Sequence, residues 1–441
     1  MYTIAHLDGA IVYLPLRPLA FSADRETADF VARLSTDKVS RRELVPPLLE
    51  HVGFFAPDPA PPPAISPVSR FEPTTCVLLL TTACNLRCVY CYAAPEAQGE
   101  QLDVELGKRA IDIVCDNARK LAQSSFTVGF HGGGEPTMAL PALRALVAHA
   151  RTKPLPCSIT LATNAYWAEP RRREVLDLGF SSISLSLDGV AQVQNEQRPS
   201  LAGQRTFDTV MGTIGELEHR GTPYGIRASV TDQSVHQLVE SIDYLCRNTQ
   251  CPTIQVEPAF AHGRALQSGT HLTDHSVFVQ EFLDAYDVAC FYGRHLYYSG
   301  ARPWAITSRF CMAVDQALIV SSHGELSACY EVFGRGHALA NDFLFGRIEA
   351  DKPLAVDYPI RQRLLDRVVE RRSRCRDCFC YYTCAGDCIA KAFVPGDQGH
   401  LEFGRRCQVN RAISKELLIR HVEQSGGVWR GVRKKAEVDC S

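Results

Sequence analysis

Thr81-Thr82-Ala83-Cys84-Asn85-Leu86-Arg87-Cys88-Val89-Tyr90-Cys91 is the stretch on which the reading of this chain turns. Its cysteines stand in a C-x3-C-x2-C spacing directly after a β-rich run, Cys76 to Thr81. Three thiolates on one short loop hold three irons of a four-iron, four-sulfur cube and leave the fourth iron open to a small chelating molecule. A structural zinc is the competing reading, but a closed zinc site wants four protein ligands. No fourth residue stands nearby at zinc-ligand spacing.

Outward from this loop, from about Glu72 to Tyr292, short β-rich runs alternate with helical ones. Phe126 to Phe130, Ser158 to Ala162, Ser182 to Leu187, Gly225 to Val230 and Thr253 to Val256 join Cys76 to Thr81 as strands. Val104 to Leu121, Leu140 to Arg151, Arg171 to Leu178, Phe207 to Arg220 and His236 to Asn248 read as helices. Strands separated by crossover helices predict an α/β fold with a parallel sheet, open or curled into a partial barrel. In such folds the site lies beyond the C-terminal ends of the strands.

Motifs stand at those ends. After the second strand comes Phe130-His131-Gly132-Gly133-Gly134-Glu135-Pro136, after the third Thr163-Asn164-Ala165, and across the end of the fourth Ser184-Leu185-Ser186-Leu187-Asp188-Gly189, with Arg198 ten residues beyond Asp188. Together with the cysteine loop these resemble the radical S-adenosylmethionine (SAM) enzymes, whose signature is C-x3-C-x2-C with an aromatic residue, here Tyr90, before the last cysteine. The resemblance implies a partial (β/α)6 TIM-like barrel over residues 72–300, with a SAM-binding 4Fe-4S cluster on Cys84, Cys88 and Cys91. It implies cofactor contacts from Tyr90, Gly133, Gly134, Glu135, Pro136, Asn164, Ser186 and Arg198, with the glycine segment and its carboxylate taking the SAM ammonium and Ser186 and Arg198 the carboxylate and ribose. Ala165 stands where the family's Thr-Asn-Gly has glycine. Arg227 and Glu257 read either as walls of the site or as structural ion pairs.

A second cysteine constellation follows: Cys311, then Gly324-x4-Cys329, then Cys375-x2-Cys378-x5-Cys384-x3-Cys388, then Cys407. It resembles the SPASM domain of radical SAM peptide and protein maturases, here over 301–424. Carried over by position, the family's interlaced ligation puts one auxiliary 4Fe-4S cluster on Cys311, Cys329 and Cys388 and another on Cys375, Cys378, Cys384 and Cys407. The first set has three cysteines, and Cys380, inside the C-x5-C interval, reads as a bystander rather than as the fourth ligand it could supply. Paired zinc knuckles are the alternative. Cys76, Cys115, Cys157, Cys246, Cys251, Cys290 and Cys440 have no ligand spacing and read as small core residues or incidental thiols.

Ahead of the barrel, residues 1–55 form a small α+β module, with strand-like Ala10 to Leu19 and helices near Thr27 to Leu34 and Arg42 to His51. The proline-rich stretch beginning APDPAPPPAISP marks a linker over 56–71. An amphipathic helix from Asn410 to Glu423, with Ile413 and Leu417 on its apolar face, closes the cysteine-rich part, and 425–441 reads as a tail. The strand-then-helix order of the first module fits a winged-helix element that reads a leader peptide.

The whole chain has 441 residues, 46% hydrophobic and 22% charged, which is ordinary globular composition. Its 47 Lys and Arg balance 49 Asp and Glu, so it lacks the basic footprint of a dedicated nucleic-acid or acidic-membrane binder. No apolar run approaches the roughly 18 residues of a membrane span, and no export signal opens the chain. A reducing cytoplasm is therefore the expected setting, and 18 cysteines there point to metal chemistry rather than disulfides.

The implied activity is reductive cleavage of SAM to a 5'-deoxyadenosyl radical that abstracts hydrogen from a ribosomally made precursor peptide bearing a leader, installing a C–C, ether or thioether crosslink. The implied cofactors are three 4Fe-4S clusters and SAM, with an electron donor such as flavodoxin or ferredoxin. Formylglycine generation in a sulfatase is the alternative, and a metal-binding scaffold the non-enzymatic one. Candidates by position for the general base are Tyr330, Glu331 and Glu257.

Overall fold

The structure, a computed structural model, describes residues 1–34, 45–65, 70–93, 99–261, 263–392 and 404–431. Strands Thr75–Leu78, Phe126–Phe130, Cys157–Thr163, Ser182–Ser186, Tyr224–Val230 and Thr253–Pro258 lie side by side in chain order, each parallel to the next. Their order follows from the crossover helices, which return the chain to the same end before each new strand. The Tyr224–Val230 strand shows how the pleat divides labour: Ile226, Ala228 and Val230 enter the helix-covered core. Arg227 and Ser229, between them, turn to the opposite face.

The helices form where local rules allow. Asp103 caps Val104–Lys120 by accepting from the amides of Glu105 and Leu106. The buried stripe Ala110, Ile111, Val114 and Ala118 then faces the sheet. Phe207–Arg220 stops at Gly221, whose φ of 63° few other residues adopt cheaply.

The sheet runs past the six expected strands. His295–Tyr297 adds a seventh parallel strand beside Thr253–Pro258. At the other side Ala317–Val320 pairs parallel with Thr75–Leu78 and continues antiparallel through Glu325–Ser327, Leu344–Arg347 and Ala355–Val356. The first cysteine-rich strands thus extend the barrel sheet, and one core spans both. Helices His275–Phe291 and Tyr358–Ser373 also lie outside the sequence reading.

At the N-terminus, Tyr2–His6, Gly9–Leu14 and Leu19–Ala23 form an antiparallel sheet followed by the Arg25–Leu34 helix. The strand-like pieces expected over Ala10 to Leu19 are Gly9–Leu14 and the start of Leu19–Ala23, and the predicted Arg42 to His51 helix is found as Pro47–His51, with Val45 and Pro46 non-helical and 42–44 outside the described residues. Both faces of the sheet are covered, which is why its strands read as unbroken apolar runs. Val12, Leu14 and Phe21 pack with Phe30, Val31 and Leu49, while Ile11, Tyr13 and Ala20 pack with Leu418, Val422 and Trp429. The stretch expected as a tail supplies Val428–Trp429 as a fourth strand, antiparallel to Leu19–Ala23. The closing helix is longer than its apolar pattern suggests, Arg405–Gln424, with Ile413 and Leu417 fully buried.

Candidate active site

The cysteine loop leaves the end of the first barrel strand and lies against the glycine run that leaves the second. Gly134 N–H donates to Thr81 O at 2.8 Å and Glu135 N–H to Ala83 O at 2.8 Å. A Cβ on Gly134 would sit 1.9 Å from Ala83 O, and Gly133, at φ 73°, leaves 2.9 Å to Thr81 O. Only glycine lets these two backbones meet. The site therefore begins as two loops locked main chain to main chain at the C-terminal edge of the sheet.

Two of the three loop thiols, Cys84 and Cys88, show what surrounds the sulfurs. Burial pushes Cys84 up to about 11 and Cys88 up to about 12, and each is opposed further by the charge of its neighbouring cysteines. The Arg198 guanidinium works the other way on both. The Leu86 amide, 3.4 Å from Cys84 Sγ, and the Asn164 side-chain amide, 3.7 Å from it, offer hydrogen bonds to sulfur. Thiols that resist ionisation alone but are met by N–H donors and a cation suit a positively charged group that binds thiolate. A cluster of iron fits this donor chemistry. Among the described residues no three His, Cys, Asp or Glu side chains close on one metal ion.

Glu135 is engaged within the chain. Its carboxylate is 2% exposed, and Oε1 accepts from Thr137 N, Thr137 Oγ1 and Thr163 Oγ1 while Oε2 accepts from Asn164 N at 2.7 Å. Burial raises its pKa and these donors oppose the shift. Oε1 is filled, so the side chain first ties the second strand end to the third, and Pro136 opens the short helical turn Pro136–Ala139 beside it. Asn164 in turn bonds Asn85 Oδ1 at 2.8 Å and so anchors the cysteine loop. Ala165 takes φ 55°, the glycine-like conformation, and the turn forms despite the substitution.

Tyr90 and Arg198 likewise spend atoms on each other. Arg198 Nη1 donates to Tyr90 Oη at 2.6 Å, and Tyr90 Oη donates to Asp188 Oδ2 at 2.7 Å. Asp188 also accepts from Gln197 Nε2 and Ser229 N. Arg198 Nε is buried without a partner. Ser186 ends the fourth strand directly beside Arg227 in register.

The C-terminal cysteines fall into two groups. Beyond burial, Cys329 is raised by the charges of Cys388 and Cys311, and Cys311 by that of Cys388. Cys375 is raised by Cys378 and Cys407, Cys407 by Cys378, and Cys384 by Cys375. Cys380 goes with the second group: its thiol hydrogen-bonds Cys378, driving Cys378 down, and it feels Cys384.

Between the loop and the first C-terminal group stand side chains that spacing alone did not reveal. The His131 ring lies 5.0 Å from that of Tyr330. Glu331 accepts from Lys391 Nζ at 2.6 Å, and Lys391 lies over the Phe260 ring, which Arg406 also faces. Burial first, and then the charge of Glu331, raises Tyr92. Glu257 is set apart from this pair, accepting from Gln255 Nε2 and Ser299 N at 2.9 Å each. The signal for several of these residues was position: Tyr92 follows Cys91, Lys391 follows Cys388 by three, and Arg406 precedes Cys407.

Residues 78–245 match the Radical SAM superfamily. The Fe-coproporphyrin III synthase of Methanosarcina barkeri is 28% identical over 224 residues, 50% of this chain and 52% of that protein. The serine-type anaerobic sulfatase-maturating enzyme of Klebsiella aerogenes is 24% identical over 336 residues, 71% of this chain and 79% of that protein. Native anSMEcpe with bound AdoMet and Cp18Cys peptide shares the fold with a TM-score of 0.63 at 16% identity, covering 80% of this chain and 99% of that one. The chain spans about half the length of the first curated relatives it matches. The superfamily match falls on the same residues as the parallel sheet and the cysteine loop at its C-terminal edge.

Proposed function

We propose that this chain is a radical SAM maturase of the SPASM type acting on a ribosomally made precursor peptide, in which it installs a C–C, ether or thioether crosslink. The observation that carries the reading is the contact that joins the two cysteine regions: the loop of Cys84, Cys88 and Cys91 is bonded to the glycine run, and the His131 ring at the head of that run lies 5.0 Å from the ring of Tyr330, which follows Cys329. When bound to the loop, an iron-sulfur cluster supplies the electron that cleaves SAM to a 5'-deoxyadenosyl radical. Cys375, Cys378, Cys384 and Cys407 would hold a third cluster. Flavodoxin or ferredoxin would deliver electrons, and the cytoplasm would keep the thiols reduced.

The chain's own residues do the rest. Gly133 and Gly134 bring backbone against the loop, Asn164 anchors it, and Ser186 and Arg198 offer donors for the SAM carboxylate and ribose. Glu331, held by Lys391 at 2.6 Å, is the carboxylate whose charge acts on Cys329 and is the preferred proton acceptor. The N-terminal sheet would read the leader by β-augmentation. With Leu19–Ala23 already paired to Val428–Trp429, Tyr2–His6 is the longer of the sheet's two edge strands, the other being the two-residue Val428–Trp429, and it would take the leader.

A second reading, formylglycine generation in a sulfatase, is favoured by the relative from Klebsiella aerogenes, which aligns over 79% of its length. Against it, Tyr330-Glu331 follows Cys329 where those maturases carry Asp. Iron and sulfide analysis of oxygen-free protein tests the common ground: about twelve irons per chain, four for each of three clusters, is expected. Roughly four irons would remove the SPASM assignment. Mass spectrometry of a co-expressed precursor against a sulfatase peptide then separates the two substrates.

A further inference from the structure

Arg227 sits in the middle of the fifth parallel strand with its charge unanswered. Its strand neighbours Ile226 and Ala228 lie in the core, so its side chain enters the opposite face, where the residue is exposed. In register it stands between Ser186 on one side and Gln255 on the other, both neutral. Among the described residues it has no ion pair and no hydrogen bond. Its charge is nevertheless felt by Tyr92, His131 and Tyr330. The guanidinium therefore reaches toward the wall shared by the cysteine loop, the glycine run and the first C-terminal cysteine group.

Among the described residues, the four carboxylates named at these strand ends and beside Tyr330 are already engaged. Glu135 is held by Thr137, Thr163 and Asn164, Asp188 by Tyr90, Gln197 and Ser229, Glu257 by Gln255 and Ser299, and Glu331 by Lys391. A cation left alone in a wall otherwise balanced in this way is placed for an anion from outside the chain. His131 supplies a second, independent sign: its Nδ1 is buried without a hydrogen-bond partner, at the same wall. Unpaired buried polar atoms are costly and point to a group not yet present.

We infer that Arg227, with His131 beside it, receives a carboxylate of the peptide substrate, an Asp or Glu side chain next to the position that loses hydrogen. The inference rests on the peptide reading above. The substrate is favoured over SAM as the source because Arg198 is the guanidinium beside Cys84 and Cys88. Arg227 instead acts on Tyr330, next to Cys329.

The test is equilibrium dialysis of oxygen-free holoenzyme against two end-blocked peptide pools, identical except for a central glutamate or glutamine, with labelled SAM dialysed in parallel. Wild type is expected to retain the glutamate pool about fivefold or more over the glutamine pool. Arg227→Gln brings that ratio to about one, and Arg227→Lys, which keeps the charge but loses the fork, falls between. A wild-type ratio of one, or a ratio that survives Arg227→Gln, overturns the inference. So does loss of SAM retention in Arg227→Gln with the peptide ratio unchanged, because the carboxylate is then that of SAM. Deoxyadenosine production by wild type under dithionite reports separately on the radical reading: its absence removes that reading while the pool ratio still reports on the anion site.

Discussion

The phenol of Tyr90 donates to Asp188 Oδ2 across 2.7 Å, so the residue between the last two loop cysteines is held to the fourth strand end, 98 positions away in sequence. Arg198 closes the arrangement by donating to the same phenol oxygen. The aromatic residue in the cysteine motif thus acts here as a tether as well as a wall.

Removing the phenol oxygen leaves Asp188 and Arg198, both buried, short of a partner. Tyr90→Phe is expected to cost on the order of 1 to 3 kcal/mol in denaturant unfolding of the holoenzyme. Asp188→Asn removes the charge that faces Arg198 and is expected to cost more, about 3 to 5 kcal/mol. Equal stability of Tyr90→Phe and wild type would show that the tether holds nothing.

Gly134→Ala places a methyl on the carbonyl of Ala83. The two loops must then separate, and the cysteine loop loses its seat. If the chain holds the three proposed clusters, its iron should fall from about twelve to about eight per chain, the C-terminal cysteines keeping theirs. Full iron content would mean the loop tolerates the shift.

The cysteine grouping makes a sharper prediction about metal. Cys388→Ala is expected to lose about four irons, whereas Cys380→Ala, whose thiol serves Cys378 by a hydrogen bond, is expected to keep about twelve. Loss of iron in Cys380→Ala would promote that thiol to a ligand.

His421 stacks on Trp429 at 5.1 Å and 9° and lies near Trp304. Burial, with the charge of His295 added, pushes its pKa down to about 4 from the usual 6.5. Because the folded value is below the unfolded one, its contribution is fully present above about pH 6.5 and is lost as pH falls toward 4. At pH 5 about 2 kcal/mol should be gone. Wild type should therefore lose that much more between pH 7 and 5 than His421→Phe, which keeps the stack but does not titrate; equal losses would refute the assignment.

Much of the barrel was readable from the chain because its signals are local. Phe126–Phe130, Leu140–Arg151 and Phe207–Arg220 have the expected ends, each bounded by a turn or cap within a few residues. His295–Tyr297, three residues long, has no periodicity to read, and its pairing is dictated by the neighbouring strand. The site divides in the same way. The cysteine and glycine motifs announce themselves by spacing. The engagement of Glu135 by Thr163, or of Glu331 by Lys391, depends on strands and loops brought together only by the fold.

The pairing of Val428–Trp429 with Leu19–Ala23 makes the N-terminal module discontinuous in sequence. Trp429 is 4% exposed, and Leu418 and Val422 share its cover beneath Ile11, Tyr13 and Ala20. Cutting away residues 1–66 would therefore do more than remove the module proposed to read a leader: it would uncover an apolar flank on the closing helix and leave a two-residue strand with nothing to pair with. Such a module cannot be exchanged between relatives as a simple N-terminal cassette. A graft that keeps the first strands but not their distant partner starts life one strand short, and its exposed edge becomes a place for other chains to attach.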